Sequence, residues 1–147
     1  MNVRKIRRKM VRYAFQFVGT WYKWGGDDAS GFDCSGILIE ILKAHGALPR
    51  KYDSTANDLY WNNIKYKVNK PLAGCGVFYE NSDGTIVHVE MCVDNLFAIG
   101  ASGGGSKTLT QEDAIRDNAF IKQRPIKRTR KITGFIDFAK MAKDMTK

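Results

Sequence analysis

The chain is poor in the residues that staple or metallate small proteins. It has two histidines, His45 and His88, and three cysteines, Cys34, Cys75 and Cys92, with no C-x-x-C pair among them. So odd and sparse a set argues against a disulfide framework or a zinc site, and three reduced thiols are the expectation. No metal or cofactor is expected. Apolar runs are short as well: none approaches the roughly 20 residues of a membrane span, and the basic start "MNVRKIRRKM" leads into no signal-peptide apolar stretch. Synthesis in the cytoplasm without an export signal is the corresponding expectation. Acidic residues are outnumbered, 15 against 24 lysines and arginines, for a formal charge of +9. Such a surface attracts polyanions, whether nucleic acid, anionic membrane or acidic wall polymer, and charge alone does not choose among them.

What is present is enough for one core. With 147 residues, 44% hydrophobic and 27% charged, a single globular domain over 1–147 is expected. Val3, Ile6, Met10, Ala14 and Phe17 recur at helical spacing and predict an amphipathic helix over 3–18. Arg4, Lys5, Arg8 and Lys9 then form its wet side. "TWYKWGGDDASGFD" reads as a loop. From Cys34 an apolar stripe of Ile37, Leu38, Ile41 and Leu42 predicts a buried helix stopped at Gly46. Ser54 is a candidate cap for a short helix to about Trp61. "GVFYE", "IVHVEMCV", "LFAIGAS", "FIKQRPI" and "KITGFIDF" read as strands, with Asp94-Asn95 as a two-residue hairpin turn. "TQEDAIRD" and the C-terminal segment read as helices. "GASGGGSKT" lacks the Gly-Lys-Ser/Thr order of a phosphate loop and reads as a bend.

Cys34 falls at the first turn of its helix, where unpaired backbone N–H groups and the positive dipole end favour a thiolate and could hold an oxyanion. The base must come from elsewhere. His45 lies at the far end of the same helix, roughly 16 Å away at 1.5 Å per residue. His88 remains. Strand alternation puts Val87, Val89, Met91 and Val93 on one face and Ile86, His88, Glu90 and Cys92 on the other. The valine face should pack the core, and a histidine opposite it, beside the Cys34 helix, would complete a nucleophile–base pair. The competing reading is a small core cysteine and a merely packed histidine. Cys75 and Cys92 read as core or surface thiols.

The segment "WYKWGGDDASGFDCSGILIEILKAHGALPR" resembles the nucleophile region of the NlpC-type cell-wall peptidases, which show Tyr-x-Trp-Gly-Gly, a short loop, then Gly-Phe-Asp-Cys-Ser-Gly and an apolar helix ending near Leu-Pro-Arg. "AGCGVFYENSDGTIVHVEMCV" resembles the family's following strands, so that the likeness spans about residues 5–105. It implies a papain-like α+β fold, N-terminal helices on a central antiparallel sheet. It also implies a cysteine endopeptidase acting on peptidoglycan stem peptides, commonly at the bond between D-γ-glutamate and the next diamino acid. Cys34 would be the nucleophile and His88 the base. Tyr22, Asp33 and Ser35 would line the substrate site, with Asp33 suited to an ammonium partner, while Trp24 reads as packing.

Two departures stand out. Cys75 replaces the family's usual aspartate. The polar residue, often His, that usually orients the imidazole from the next strand falls here on Ile99 or Gly100, and neither can do that job. With the two-residue turn, Glu90 would sit opposite Ile99 on the His88 face, and its carboxylate could fill the vacant role. The alternative is a backbone carbonyl or water. A phage lysin or tail-associated peptidase, with virion tail proteins as partners, would suit the small size and basic surface. An amidase or acyl transferase on the same scaffold is a second reading. A non-catalytic virion module, or a nucleic-acid binder using Arg4–Lys9 and 122–131, is a third. Specific nucleic-acid binding is not expected.

Overall fold

The computed structural model describes residues 1–28 and 31–147, with backbone alone for 27, 28, 31 and 32. Helix α1 (Val3–Phe15) is capped by the Asn2 side chain, and turns Ile6, Met10 and Ala14 inward. It is shorter than the predicted 3–18, because Gln16 to Gly19 leave the helix in a turn and Gly19 adopts φ 92. A two-residue hairpin, β1 (Asp27–Asp28) with β2 (Gly31–Phe32), lies inside the stretch read as loop. Residues 29 and 30 of that stretch are outside the described residues.

Helix α2 (Cys34–Ala44) is the apolar centrepiece. Ile37, Leu38, Ile41 and Leu42 are all buried, and each aliphatic side chain withdrawn from water contributes about 1.5–3 kcal/mol. It ends as expected, with Gly46 at φ 74 just past the His45 cap. Helix α3 (Ala56–Asn62) is capped by Thr55, not Ser54, because the Thr55 hydroxyl is the one that reaches the Asp58 N–H.

A single 3-10 turn over Ile64–Tyr66 leads to the short edge strand β3 (Lys67–Val68), which the sequence pattern did not announce. The remaining elements are β4 (Cys75–Glu80), β5 (Ile86–Cys92), β6 (Phe97–Ser102), α4 (Gln111–Arg116), β7 (Phe120–Pro125), β8 (Lys131–Asp137) and α5 (Phe138–Met145). Six strands form one antiparallel sheet in the order β3-β8-β4-β5-β6-β7. The α+β expectation holds: helices pack on an antiparallel sheet.

One face of the sheet, through Phe78, Val89, Met91, Ile99 and Ile136, meets the buried sides of α1, α2, α3 and α5 in the main core. The other face carries a smaller cluster of Cys75, Val77, Tyr79, Cys92, Ala98 and Ile126. Cys75 and Cys92 are thus core thiols. Strict alternation fails at the start of β5. Tyr79 pairs with His88 but Glu80 with Ile86, so Val87 is an extra, bulged residue. The bulge returns Ile86 to the Val89 face and leaves Val87 40% exposed, contrary to the expected all-buried valine face.

The turn after β5 is also longer than expected. Val93 N–H donates to the Phe97 carbonyl, and the Asp94 carboxylate accepts from the Leu96 and Phe97 amides, giving a loop of Asp94, Asn95 and Leu96. One extra residue shifts the register. Met91 pairs with Ile99, which sets Glu90 across from Gly100 rather than Ile99.

Candidate active site

The start of α2 is fixed before any chemistry is considered. Asp33 is its N-cap, extended at φ −92 and ψ −175, and its Oδ1 accepts from the Gly36 N–H at 2.7 Å. Oδ2 accepts from the Gly25 amide at 3.0 Å, and the Ser35 hydroxyl donates to Oδ1 at 3.4 Å. A cap of this kind is worth about 1 kcal/mol, and here it also ties the Gly25-Gly26 loop to the helix. Gly36 is required by close approach: a Cβ there would collide with the Gly26 carbonyl oxygen.

Cys34 is the first helical residue, as expected. Its helix lies on the Val89–Met91 face of β5, not on the face of His88 as the alternation argument proposed. The start of the helix meets the β5 backbone beside His88 instead. The β5–β6 ladder consists of Met91↔Ile99 and Cys92↔Ala98, although β5 begins at Ile86 and β6 runs to Ser102. Cys34 meets the backbone of this part of β5. Its Sγ is 3.9 Å from the Val87 carbonyl oxygen, and the Val89 and Ser35 amides act on the same sulfur. The thiol thus faces β5 backbone on both sides of His88.

On the other face, His88 Nε2 and Glu90 Oε2 are 2.6 Å apart. Glu90 has no exposed side-chain surface. Its Oε2 also accepts from Arg124 Nη2 at 2.6 Å and Arg128 Nη1 at 3.0 Å, and its Oε1 accepts from Arg128 Nη2 at 2.8 Å. Gly100 makes room for this carboxylate, since a Cβ there would strike Glu90 Cγ. The Tyr79 ring stands 5.8 Å from the imidazole.

Electrostatics distinguish the two groups. Burial, followed by the Asp33 charge, pushes the Cys34 thiol up to about 11, against the pull of the two amides. Both effects work against the thiolate that the helix dipole alone favours. Burial would also raise Glu90, but hydrogen bonds from His88 and Arg128 outweigh it and hold the carboxyl well below its usual range. Burial raises Asp33 despite its amide bonds, with Asp53 adding to the effect. Tyr22 is likewise raised, by burial first and then by Cys34 and Asp33.

An open cleft of about 420 Å³ leads to the sulfur, with Tyr22, Asp33, Cys34 and Ser35 on one side and Asp53 to Ala56 on the other. Trp24 lines it too and is 51% exposed, so it is a rim residue rather than the packing residue expected. His45 is elsewhere, with Nδ1 2.7 Å from the Ile41 carbonyl at the far end of α2.

The sequence matches the NlpC/P60 family over residues 19–126. The chain belongs to the NlpC/P60 family. One similar protein is the "Probable peptidoglycan endopeptidase LytE" of Bacillus subtilis, 36% identical over 97 residues, which are 66% of this chain and 28% of that one. Another is the "Gamma-D-glutamyl-L-lysine dipeptidyl-peptidase" of the same organism, 38% identical over 80 residues, 52% of this chain and 26% of that one. The chain thus spans little more than a quarter of these relatives. Among solved structures, an NlpC/P60 family protein from Bacillus cereus superposes with a TM-score of 0.72 at 21% identity, covering 90% of this chain and 40% of that one. The peptidoglycan hydrolase RipB from Mycobacterium tuberculosis superposes with a TM-score of 0.62 at 24% identity, covering 92% and 65%. These two likenesses bear on the fold.

The structure brings His88 and Glu90 together, and groups Tyr22, Asp33 and Ser35 around Cys34. Sequence reasoning missed Arg124 and Arg128, which arrive from 34 and 38 residues away. It also missed Asp53 and Asp58 on the cleft. The available signal was a glutamate on the His88 face, beside a glycine at one of the two positions where the orienting polar residue was expected.

Proposed function

We propose that this chain is a cysteine endopeptidase of peptidoglycan stem peptides, acting at the bond between a γ-linked D-glutamate and the following diamino acid. Cys34 is the nucleophile, His88 the general base and acid, and Glu90 the positioning residue for the imidazole. The observation that carries the reading is the Cys34 sulfur set against the β5 backbone at Val87 and Val89, on either side of a histidine whose Nε2 is engaged by a carboxylate. That engagement leaves Nδ1 for the thiol proton. Because the thiol is protonated at rest, proton transfer accompanies attack on the scissile carbonyl. First-turn amides of α2 stabilise the oxyanion. His88 returns the proton to the leaving amine, and water, activated by the same imidazole, hydrolyses the thioester.

Asp33, with Asp53 beside it, makes this end of the cleft anionic in a cationic protein, which suits the ammonium of a trimmed stem. The 147 residues act as one peptidase unit. On α1, Arg4, Lys5, Arg8, Lys9 and Arg12 are exposed, and their charge favours retention on anionic wall polymer, weakening with salt. Delivery by a virion rests on the sequence considerations alone. The test is incubation of wild type and Cys34→Ala with purified peptidoglycan and mass analysis of the products. Cleavage within the stem, lost in Cys34→Ala, is expected. Release of whole stems from muramic acid would indicate an amidase and overturn the assignment.

A further inference from the structure

Glu90 is the most heavily engaged side chain near the site, and its cationic partners have no place in the peptidase mechanism. Arg128 comes from the β7–β8 loop and is held on three sides. Its Nε and Nη2 donate to the Pro125 carbonyl at 3.0 and 2.8 Å, its guanidinium covers the Tyr79 ring at 4.6 Å, and both its terminal nitrogens grip Glu90. The Tyr79 hydroxyl donates to the Ile126 carbonyl at 2.6 Å, pinning the same loop. Arg124 reaches the carboxylate from β7.

We infer that Arg128, with Arg124, is a positioning residue of the proposed peptidase: the two guanidiniums clamp the Glu90 carboxylate, and the clamped carboxylate fixes His88 with its proton on Nε2 and its lone pair on Nδ1.

Three physical arguments meet here. A carboxylate with no exposed surface does not stay ionised without compensating charge. Two guanidiniums supply it, and a planar bidentate grip holds the carboxylate in orientation as well as in charge. Second, Glu90 is an acceptor only while ionised, so an ionised Glu90 at 2.6 Å demands a proton on His88 Nε2. Third, a lone carboxylate beside an imidazole favours the imidazolium, which has no lone pair to offer a thiol. With Arg124 and Arg128 the carboxylate cluster carries a net positive charge, so Glu90 orients the ring through its hydrogen bond with no unbalanced negative charge beside it. The groups in contact with His88 are Glu90 on its own strand and Tyr79 on β4, with Arg124 of β7 and Arg128 of the loop behind Glu90, while Cys34 from α2 meets the β5 backbone at Val87, the residue before it. The arrangement does from β5 and a distant loop what a single polar residue at position 100 would do from β6.

The inference rests on the peptidase reading for its kinetic arm but not for its spectroscopic one. Long-range proton–nitrogen NMR on the nitrogen-15-labelled full chain resolves both histidines, with His45→Gln assigning the signals. In the neutral wild type, His88 is expected to show a protonated Nε2 and a bare Nδ1. A bare Nε2 overturns the inference without any variant. Arg128→Met is expected to mix the tautomers and to lower kcat by about tenfold or more, the scale on which outer partners of a functional imidazole act in metal sites, with KM changed less than about twofold. Arg128→Lys keeps the charge but not the bidentate grip, and is expected to lose part of kcat. Wild-type tautomer and wild-type kcat in whichever of these variants folds would overturn the clamp. Stem-peptide cleavage that persists in Cys34→Ala would instead end the peptidase reading, and leave the NMR result to decide the clamp on its own.

Discussion

The two faces of β5 do opposite work with alternate residues of one short strand. Val89 and Met91 turn toward α2 and the main core, where nothing is asked of them beyond volume and apolarity. His88 and Glu90 turn the other way and share a hydrogen bond backed by two guanidiniums. The first face stabilises by removing surface from water. The second carries a buried charge that needs partners from β7 and the following loop to remain ionised. Apolar packing and reactivity are therefore separable along this strand, residue by residue.

The sharpest way to break that comparison is to truncate one residue on each face. His88→Ala should lower peptidase turnover by about a thousandfold or more, as loss of a catalytic base does, and should cost about 1–3 kcal/mol through the buried Glu90 hydrogen bond it removes. Met91→Ala should cost about 2–5 kcal/mol of stability through the cavity it leaves, with the folded fraction retaining its kcat. Urea melts paired with turnover measurements distinguish the two; a Met91→Ala protein that is stable but inactive would erase the division.

A smaller effect comes from position 100. Gly100→Ala should drive Glu90 out of place at a cost of about 1–3 kcal/mol and lower kcat, because the added methyl meets Glu90 Cγ. Thermal melts and steady-state kinetics read both.

Acid titration sharpens the electrostatic half. Glu90 is held well below its usual value of 4.5, so its ionised form stabilises the folded state. That contribution is fully present above about pH 5, and is lost as pH falls through the depressed folded value. The stability gap between wild type and Glu90→Gln, measured by urea melts, should be flat from pH 7 to about 5 and shrink at lower pH. The least effect belongs to the bulge: Val87→Thr, on an exposed side chain, should stay within about 0.5 kcal/mol and leave kcat unchanged, since the Val87 carbonyl rather than its side chain meets the sulfur.

Much of this was legible in the sequence, and the parts that were not share a cause. Helical spacing located α1 and α2, and the stop at Gly46 follows from local chemistry that a sequence displays, whereas the cap at Asp33 was passed over for a substrate role. Period-two alternation found β5 and put His88 and Glu90 on one face. It failed at Val87 because a bulge is one extra residue that pairs with nothing, and composition does not announce it. The Asp94 turn was misjudged by one residue, because Asp94 caps two amides and so supports a longer loop than a two-residue turn. Trp24 was misplaced since an aromatic in a glycine-rich loop gives no sign of which side faces a cleft. Arg124 and Arg128 were invisible for a stronger reason: their partner is more than 30 residues away, and only the folded sheet brings them to it.

The central claim is that His88 draws the proton from Cys34, and alkylation by iodoacetamide tests it most directly. Cys75 and Cys92 are fully buried, so modification of the native protein should appear at Cys34 by peptide mass analysis. The account predicts that at pH 7 the wild type is alkylated at Cys34 at least about tenfold faster than His88→Ala, because only the wild type has an imidazole to accept the thiol proton as the sulfur attacks. Equal rates in the two proteins would contradict it.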